Sequence, residues 1–142
     1  MISSNEYILV YNQLFKYIDE DFGKDDVIEL WKSIGKNCKM ELDKAVREKK
    51  LKGLYEHFKR VWGSEGGRHT ITLRDEELVL DMHYCPSVGK ILNSHLDPYE
   101  YYCEHCSVLY PHIIEKYGEL KADFYIVDQN TGQCRRYIRK KK

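Results

Sequence analysis

The spacing of the hydrophobic residues changes at a glycine-rich segment, residues 63–67, and this change constrains the fold more than any other feature of the sequence. Before the segment, apolar residues recur with the period of about 3.6 residues that is typical of an amphipathic helix. After it, apolar and polar residues alternate, as they do over residues 78–83, which predicts a strand with one buried face. The chain therefore divides into a helical half, residues 1–62, and a mixed half, residues 68–139.

The helical half contains four predicted helices, over residues 4–22, 25–38, 39–50 and 51–62. Gly23 is expected to end the first helix, because glycine readily adopts the left-handed conformation that follows a helix C-terminus. The third helix carries mostly charged residues, so we expect much of its surface to lie in solvent. The apolar faces of these helices are available to cover a sheet formed by the other half.

In the mixed half, the predicted order of elements is strand, strand, helix, helix, strand, strand. Two predicted hairpins, within residues 70–83 and 122–139, flank a helical insertion. In this insertion Pro86 begins a short helix, and Asp97 is expected to cap a longer helix that begins at Pro98. We therefore expect an α+β fold, in which the N-terminal helices pack on a small antiparallel sheet of two hairpins and the insertion carries the cysteines.

The composition is that of an ordinary globular protein, and we expect a single domain over residues 1–142 because each half would form only a marginal core. The formal net charge is zero, which argues against binding to nucleic acid or to an anionic membrane surface. No apolar run approaches the roughly 20 residues of a membrane span. The first residues do not resemble a signal peptide, so we expect a cytoplasmic protein with free or metal-bound thiols.

Three of the five cysteines lie within residues 82–106, and Cys85 is the first of them. Cys85 follows a predicted strand and precedes Pro86, which places it at the start of a helix, where the helix dipole favours a thiolate. His83 lies two residues earlier, on the same side of an extended strand, and is a candidate base for Cys85. The alternative is that Cys85 is a small buried side chain at a strand end.

Cys103 and Cys106 form a C-x-x-C motif, which a helix would present on one face. This spacing is typical of zinc or iron–sulfur ligation and of dithiol redox chemistry, and Cys85 and Cys134 could complete a set of four ligands. A thioredoxin-like interpretation is disfavoured, because the motif is not predicted to open a helix after a parallel strand. His105 lies between the two cysteines and is a second candidate base. The structural alternative is core packing.

The last predicted strand, residues 133–139, contributes a cysteine and a positively charged arginine to the predicted site. Alternation places Cys134, Arg136 and Ile138 on one face of this strand. An arginine on the same face as a cysteine can bind a substrate carboxylate through two parallel hydrogen bonds. The alternative is an edge strand at which charged residues face solvent.

Three motifs resemble those of the L-2-amino-thiazoline-4-carboxylic acid hydrolase-like family. They are Tyr84-Cys85-Pro86, the segment from Tyr102 to Cys106, and the strand from Gly132 to Arg139. The resemblance covers residues 70–139, with a helical N-terminal half of the kind that those proteins carry. It implies a hydrolase that acts on a C–N bond of a small cyclic amidine or a related substrate with a carboxylate.

The resemblance also leads to a hypothesis for the mechanism, in which a thiolate attacks the C=N carbon and water resolves the covalent adduct. The nucleophile is Cys85 or Cys106, and His83 or His105 moves the protons. Arg136 holds the carboxylate, with Cys134 beside it. This mechanism requires a small-molecule substrate and no cofactor.

Two other classes of protein compete with the hydrolase. In the first, the protein is a binding module for zinc or an iron–sulfur cluster that serves structure or sensing, and the metal ligands are Cys85, Cys103, Cys106 and Cys134. In the second, it is a small interaction domain whose cysteines only pack. The distances among the four sulfur atoms distinguish the first class most directly, because a tetrahedral zinc site needs them all within about 4 Å of one another.

Overall fold

A computed structural model describes residues 4–142, so the first three residues of the predicted helical half lie outside the described residues. Within that range the chain is an α+β protein with five helices and one antiparallel sheet of four strands. The elements are α1 (Ser4–Phe22), α2 (Lys24–Cys38), α3 (Met40–Glu65), β1 (Arg68–Leu73), β2 (Glu77–Tyr84), α4 (Pro86–Asn93), α5 (Glu104–Ile114), β3 (Leu120–Asp128) and β4 (Gln133–Lys140). The predicted fold class is therefore confirmed.

The sheet has the strand order β1-β2-β4-β3, so the two predicted hairpins pair through β2 and β4. Leu78, Leu80 and Met82 are buried on one face of β2, as the alternation predicts. On β4, Arg136 lies opposite Leu80, and Ile138 lies opposite Leu78. The buried face of the sheet therefore carries one arginine among apolar side chains, and α3 and α5 contact this sheet.

Helix α3 consists of two arms that meet at Lys50, whose φ of 51° and ψ of −129° are not helical. The arms lie close together, because a Cβ atom added at Gly53 would lie only 2.2 Å from the carbonyl oxygen of Ala45. An ion pair of 3.2 Å between Arg60 and Glu41 also joins the two arms. The two helices that the sequence predicts on either side of residue 50 are thus present, folded back on each other as an antiparallel pair.

The described residues form two hydrophobic clusters. The larger lies between α3, α5 and the sheet and includes Phe58, Leu80 and Ile138. The other joins α1, α2, α4 and the segment before α5, and it includes Phe15 and Trp31. The boundary between the two clusters is where the thiols lie, because the half-buried side chain of Cys85 packs against both. No helix within residues 4–142 has the length and apolar character needed to cross a bilayer.

The predicted helix that begins at Pro98 is wrong, because α5 begins only at Glu104. The backbone at Asp97 and Tyr99, where the predicted helix would begin, is bound to a side chain of α1. The Asn12 side chain donates a hydrogen bond to the carbonyl oxygen of Asp97 at 2.9 Å and accepts one from the Tyr99 N–H at 2.6 Å. Asp97 is therefore not a helix cap. The C-x-x-C motif lies at the start of α5, and not in the interior of a helix as the sequence predicted.

Replacing Asn12 with alanine should lower the free energy of unfolding by about 2 kcal/mol, because it leaves the Tyr99 N–H buried without an acceptor. Urea unfolding followed by circular dichroism measures this change. Asn37 is the matched control, because it is exposed and bonds only to Ser33 in its own helix. A loss at Asn12→Ala no larger than that at Asn37→Ala would show that the Asn12 contacts do not hold the segment before α5.

Candidate functional site

A small cavity of about 30 Å³ lies at the boundary between the two hydrophobic clusters. Its lining includes all four cysteines of the predicted site together with a histidine and an arginine, namely Cys85, Cys103, Cys106, Cys134, His105 and Arg136. These residues come from the start of α4, the start of α5 and strand β4. The structure thus brings together every predicted site residue except His83.

His83 is not part of this site, and its predicted role as a base for Cys85 is wrong. Its side chain is exposed and forms a hydrogen bond of 2.9 Å with the hydroxyl of Thr70 on β1. The neighbouring Met82 is buried, so His83 belongs to the opposite face of the sheet. Strand β2 ends at Tyr84, and the alternation that would place Cys85 on the same side as His83 ends with it.

The C-x-x-C motif forms the first turn of α5. Cys103 is the N-cap residue with φ of −69° and ψ of −20°, and Cys106 is the third residue of the helix. The first turn of a helix has unpaired backbone N–H groups and the positive end of the helix dipole, both of which favour an anion. The start of this helix, and not the start of α4, carries the thiol whose pKa is lowered.

Cys106 and His105 form the closest pair of reactive groups in the cavity. The Cys106 Sγ atom lies 3.5 Å from Nε2 of His105. The other ring nitrogen, Nδ1, forms a short hydrogen bond with the carbonyl oxygen of Tyr102. Because a carbonyl only accepts, Nδ1 must carry its proton, and Nε2 is the nitrogen that exchanges a proton with the thiol. The Tyr102 carbonyl therefore orients the ring, a role that has no signal in the sequence.

The electrostatic environment makes Cys106 a thiolate at neutral pH. Burial raises the pKa of its thiol, but the positive charges of His105 and Arg136 outweigh burial and lower the pKa from 9.0 to about 6. Burial lowers the pKa of His105, but the negative charge of Cys106 outweighs it and raises that pKa. Each partner stabilises the charged form of the other, so the pair is a thiolate and an imidazolium.

Arg136 is a buried cation at the side of the cavity, with only 5% of its surface exposed. Among the described residues its Nε and Nη1 atoms have no hydrogen-bond partner, and no ion pair joins it to a carboxylate. Four aromatic rings lie 4.8–5.9 Å from the guanidinium carbon, and they belong to Phe58, Trp62, Tyr110 and Phe124. Such rings stabilise a cation but accept no strong hydrogen bond, so two N–H groups are left for an anion in the cavity.

The interior position of β4 explains why Arg136 is buried. Strand β4 pairs with β2 on one side and with β3 on the other, so the alternative of a solvated edge strand is wrong. The predicted alternation is confirmed, since Cys134 and Arg136 both line the cavity. Burial lowers the pKa of Arg136, but the negative charge of Cys106 opposes this effect and the pKa is raised, so the guanidinium stays charged.

The other three cavity cysteines remain thiols. Cys85 is the N-cap of α4, as predicted, but burial raises its pKa more than the nearby backbone N–H groups of Val88 and Ser87 lower it. Burial and the charges of Cys106 and Cys85 raise the pKa of Cys103 to about 12. Burial also raises the pKa of Cys134. The predicted activation of Cys85 is therefore wrong, because the loss of solvent outweighs the helix N-terminus.

The convergence of four thiols bears on the metal hypothesis. All four line the same cavity, which the sequence could not show. Nevertheless, no three histidine, cysteine, aspartate or glutamate side chains in the described part of the chain are grouped closely enough to hold a metal ion. Zinc or iron–sulfur binding stays a prediction.

Gly132 allows the turn before β4 to lie against Cys85. Its φ is +69°, and a Cβ atom at this position would lie 2.3 Å from the Cβ atom of Cys85. The Cys85 N–H also donates a hydrogen bond of 3.0 Å to the carbonyl oxygen of Thr131. Glycine at position 132 therefore lets the two halves of the cavity wall approach each other.

Replacing Gly132 with alanine should destabilise the protein more than the same change at Gly118. Gly118 has a φ of +75° but open space around it, so alanine there costs only the left-handed strain of about 1–2 kcal/mol. Alanine at position 132 adds overpacking against Cys85, which costs about 1–3 kcal/mol more. Urea unfolding of the two variants gives the difference. Equal losses would contradict the close contact between the turn and Cys85.

The fold and the cavity define an α+β protein with a buried thiolate, an imidazole that touches it and a guanidinium with free N–H groups. A comparison with protein-family models found no family that matches the chain, and a comparison with curated proteins found no protein that matches it.

Proposed function

We propose that the chain is a cysteine-dependent hydrolase that acts on a C–N bond of a small cyclic amidine or related substrate with a carboxylate, similar to the L-2-amino-thiazoline-4-carboxylic acid hydrolases. One observation carries the proposal. Cys106 Sγ lies 3.5 Å from His105 Nε2 in a cavity that is also lined by Arg136, whose Nε and Nη1 atoms have no hydrogen-bond partner among the described residues. A nucleophile beside a base, with the base held by a third group, is the usual arrangement of nucleophilic catalysis.

Each of the three side chains has a separate role in this mechanism. The Cys106 thiolate attacks the C=N carbon, which forms a C–S bond and moves an electron pair to the nitrogen. That nitrogen takes the proton from Nε2 of His105. The C–N bond of the adduct then breaks as the other amidine nitrogen forms a C=N bond, and neutral His105 passes a proton from that nitrogen to the departing amine. Water adds across this C=N bond, and loss of the hydroxyl proton to His105 forms the carbonyl as the C–S bond breaks and the Cys106 thiolate leaves. Arg136 binds the substrate carboxylate through N–H groups of its guanidinium, after the wall of the small cavity has opened to admit the substrate.

Alkylation of the thiols tests the identity of the nucleophile. Because the pKa of Cys106 is lowered to about 6, its reaction with iodoacetamide should rise as the pH passes 6 and stay constant above pH 7. Exposed Cys38 provides the internal comparison within the same digest. Peptide mapping after short exposure identifies the labelled residue. If Cys106 reacts no faster at neutral pH than in the unfolded protein, the proposed nucleophile is wrong.

Turnover of a defined substrate tests the reaction. The protein is incubated with 2-amino-thiazoline-4-carboxylate and with 2-aminothiazoline, which lacks the carboxylate, and the primary amine released by C–N cleavage is measured. Hydrolysis of the first compound and much slower hydrolysis of the second would support both the reaction and the carboxylate-binding role of Arg136. Hydrolysis of neither compound would contradict this substrate class.

The second candidate function is a metal module, and the four thiols that line one cavity favour it. Elemental analysis of the purified protein separates the two functions. Stoichiometric zinc or iron that is lost in Cys103→Ser would support the module, because Cys103 has no part in the hydrolase mechanism. Metal-free protein with a fast-reacting Cys106 would support the hydrolase.

A further inference from the structure

The position of the C-x-x-C motif at the start of α5 allows its two sulfur atoms to form a disulfide. Cys103 has helical backbone angles, so helix geometry puts its Cα atom about 5 Å from that of Cys106. Disulfides join Cα atoms that are about 4.4–6.8 Å apart. Cys103 is also the N-cap residue, so the adjustment that brings the sulfur atoms together breaks no bond in the helix interior.

The two cysteines of the motif have different surroundings. Cys106 Sγ contacts His105 at 3.5 Å and lies within the field of the Arg136 cation. Cys103 is half-buried beside the second hydrophobic cluster, and among the described residues it has no hydrogen bond to a cation. Thiol–disulfide chemistry needs such an asymmetry, in which one thiolate reacts first and a second thiol resolves the product.

The cavity admits a very small ligand without any movement of its wall. One water needs about 10–15 Å³ of such space, so 30 Å³ holds about two oxygen atoms. The two unpartnered N–H groups of Arg136, which is 95% buried, can donate hydrogen bonds to these oxygens. A ligand of this size with a hydrogen-bond acceptor on each of two atoms is hydrogen peroxide.

We propose that the cavity is also a site of hydroperoxide reduction, in which Cys106 reacts with the peroxide and Cys103 resolves the product as a Cys103–Cys106 disulfide. This inference rests on the same thiolate as the proposed hydrolase but does not require hydrolysis to occur. If the hydrolase proposal also holds, the disulfide removes its nucleophile and is a reversible inhibitory modification.

The chemistry balances in two steps. The Cys106 thiolate attacks one peroxide oxygen, the O–O bond breaks, and the leaving oxygen takes the proton of His105 Nε2 to form water. Cys106 is then a sulfenic acid. The Cys103 sulfur attacks the Cys106 sulfur, the S–O bond breaks, and hydroxide leaves with the Cys103 proton as a second water. The peroxide is reduced by two electrons, two thiols are oxidised to a disulfide, and a small dithiol reductant restores them.

The full chain is treated with one equivalent of hydrogen peroxide, quenched with N-ethylmaleimide and mapped by mass spectrometry. We expect the loss of two free thiols and a Cys103–Cys106 linkage that dithiothreitol reverses. Cys106 should be oxidised at least about 10-fold faster than exposed Cys38, because Cys106 has a proton donor, His105, 3.5 Å from its sulfur and a buried cation in the same cavity. Equal oxidation of the two residues, or a disulfide that joins Cys106 to Cys85 or Cys134, would overturn the proposal.

Two single-residue variants distinguish the oxidation of Cys106 from the formation of the disulfide. Cys103→Ser should stop at a sulfenic acid on Cys106, which dimedone traps, whereas Cys38→Ser should behave like the unaltered protein. If Cys103→Ser does not fold, the position of the disulfide in the unaltered protein, mapped by mass spectrometry, tests whether Cys103 is the resolving residue. Preferential oxidation of Cys106 in a protein that hydrolyses neither amidine would contradict only the hydrolase proposal. Hydrolysis of the amidine without preferential oxidation of Cys106 would contradict only the proposal of hydroperoxide reduction.

Discussion

Replacing Cys106 with alanine should lower kcat for hydrolysis by at least about 1,000-fold, because the covalent step cannot occur without the nucleophile. It should also remove the alkylation that occurs at neutral pH. Cys134→Ala is the matched control, because Cys134 lines the same cavity but remains a thiol. A loss of activity in Cys134→Ala as large as that in Cys106→Ala would show that the cavity, and not the Cys106 sulfur, is needed.

The same change should affect stability through Arg136. Without the thiolate, a buried guanidinium loses its nearest negative charge, and we expect the free energy of unfolding to fall by about 1–3 kcal/mol. The double variant Cys106→Ala, Arg136→Met should recover most of this loss. A double-mutant cycle in urea measures the coupling. A coupling of zero would contradict the electrostatic link between the two residues.

Replacing Arg136 with methionine should lower kcat/KM for a substrate with a carboxylate by about 100-fold, because two charge-assisted hydrogen bonds worth about 3 kcal/mol are lost. The substrate without a carboxylate should be affected less. The change should also raise the pKa of Cys106, since Arg136 is one of the charges that lower it. Alkylation of Cys106 should then need a higher pH.

Arg136→Met should not destabilise the protein greatly, which separates its functional effect from a folding defect. Methionine has a similar shape, its substitution removes the cost of burying a guanidinium, and Cys106 can take up a proton once the cation is lost. Arg135→Met is the matched control, because Arg135 lies on the exposed face of the same strand and pairs with Asp81. Equal losses of activity in the two variants would contradict a specific role for Arg136.

Strand β4 shows how far the sequence could predict the site. Alternation along a strand is a local property, so it correctly placed Cys134 and Arg136 on one face. It could not show whether that face is buried, because the burial depends on pairing with β2 and β3 and on cover from α3 and α5. The local sequence around Arg136 is compatible both with an exposed position on an edge strand and with a buried position among four aromatic rings, so it cannot distinguish the two.

The C-x-x-C motif shows where local reasoning fails. The segment from Pro98 has a good helix start in sequence terms, but Asn12 binds its backbone from a position 85 residues earlier. With this contact the helix begins only at Glu104, and Cys106 therefore lies in its first turn. The same long-range packing removes solvent from Cys85, so the residue with the better local signal is not the thiolate.

The sequence by itself determined the α+β class, the helix and strand periods, and the residue types from which a thiol site can be built, because these depend on neighbours within a few positions. Only the tertiary structure decided which thiol is ionised. The pKa of a cysteine depends on the charges and the solvent around its sulfur, and Arg136 is brought near Cys106 by the packing of α5 on the sheet, not by their positions in the sequence. The change of hydrophobic period at residues 63–67 predicts that there is a sheet, and the packing of helices on that sheet makes one face of it a site.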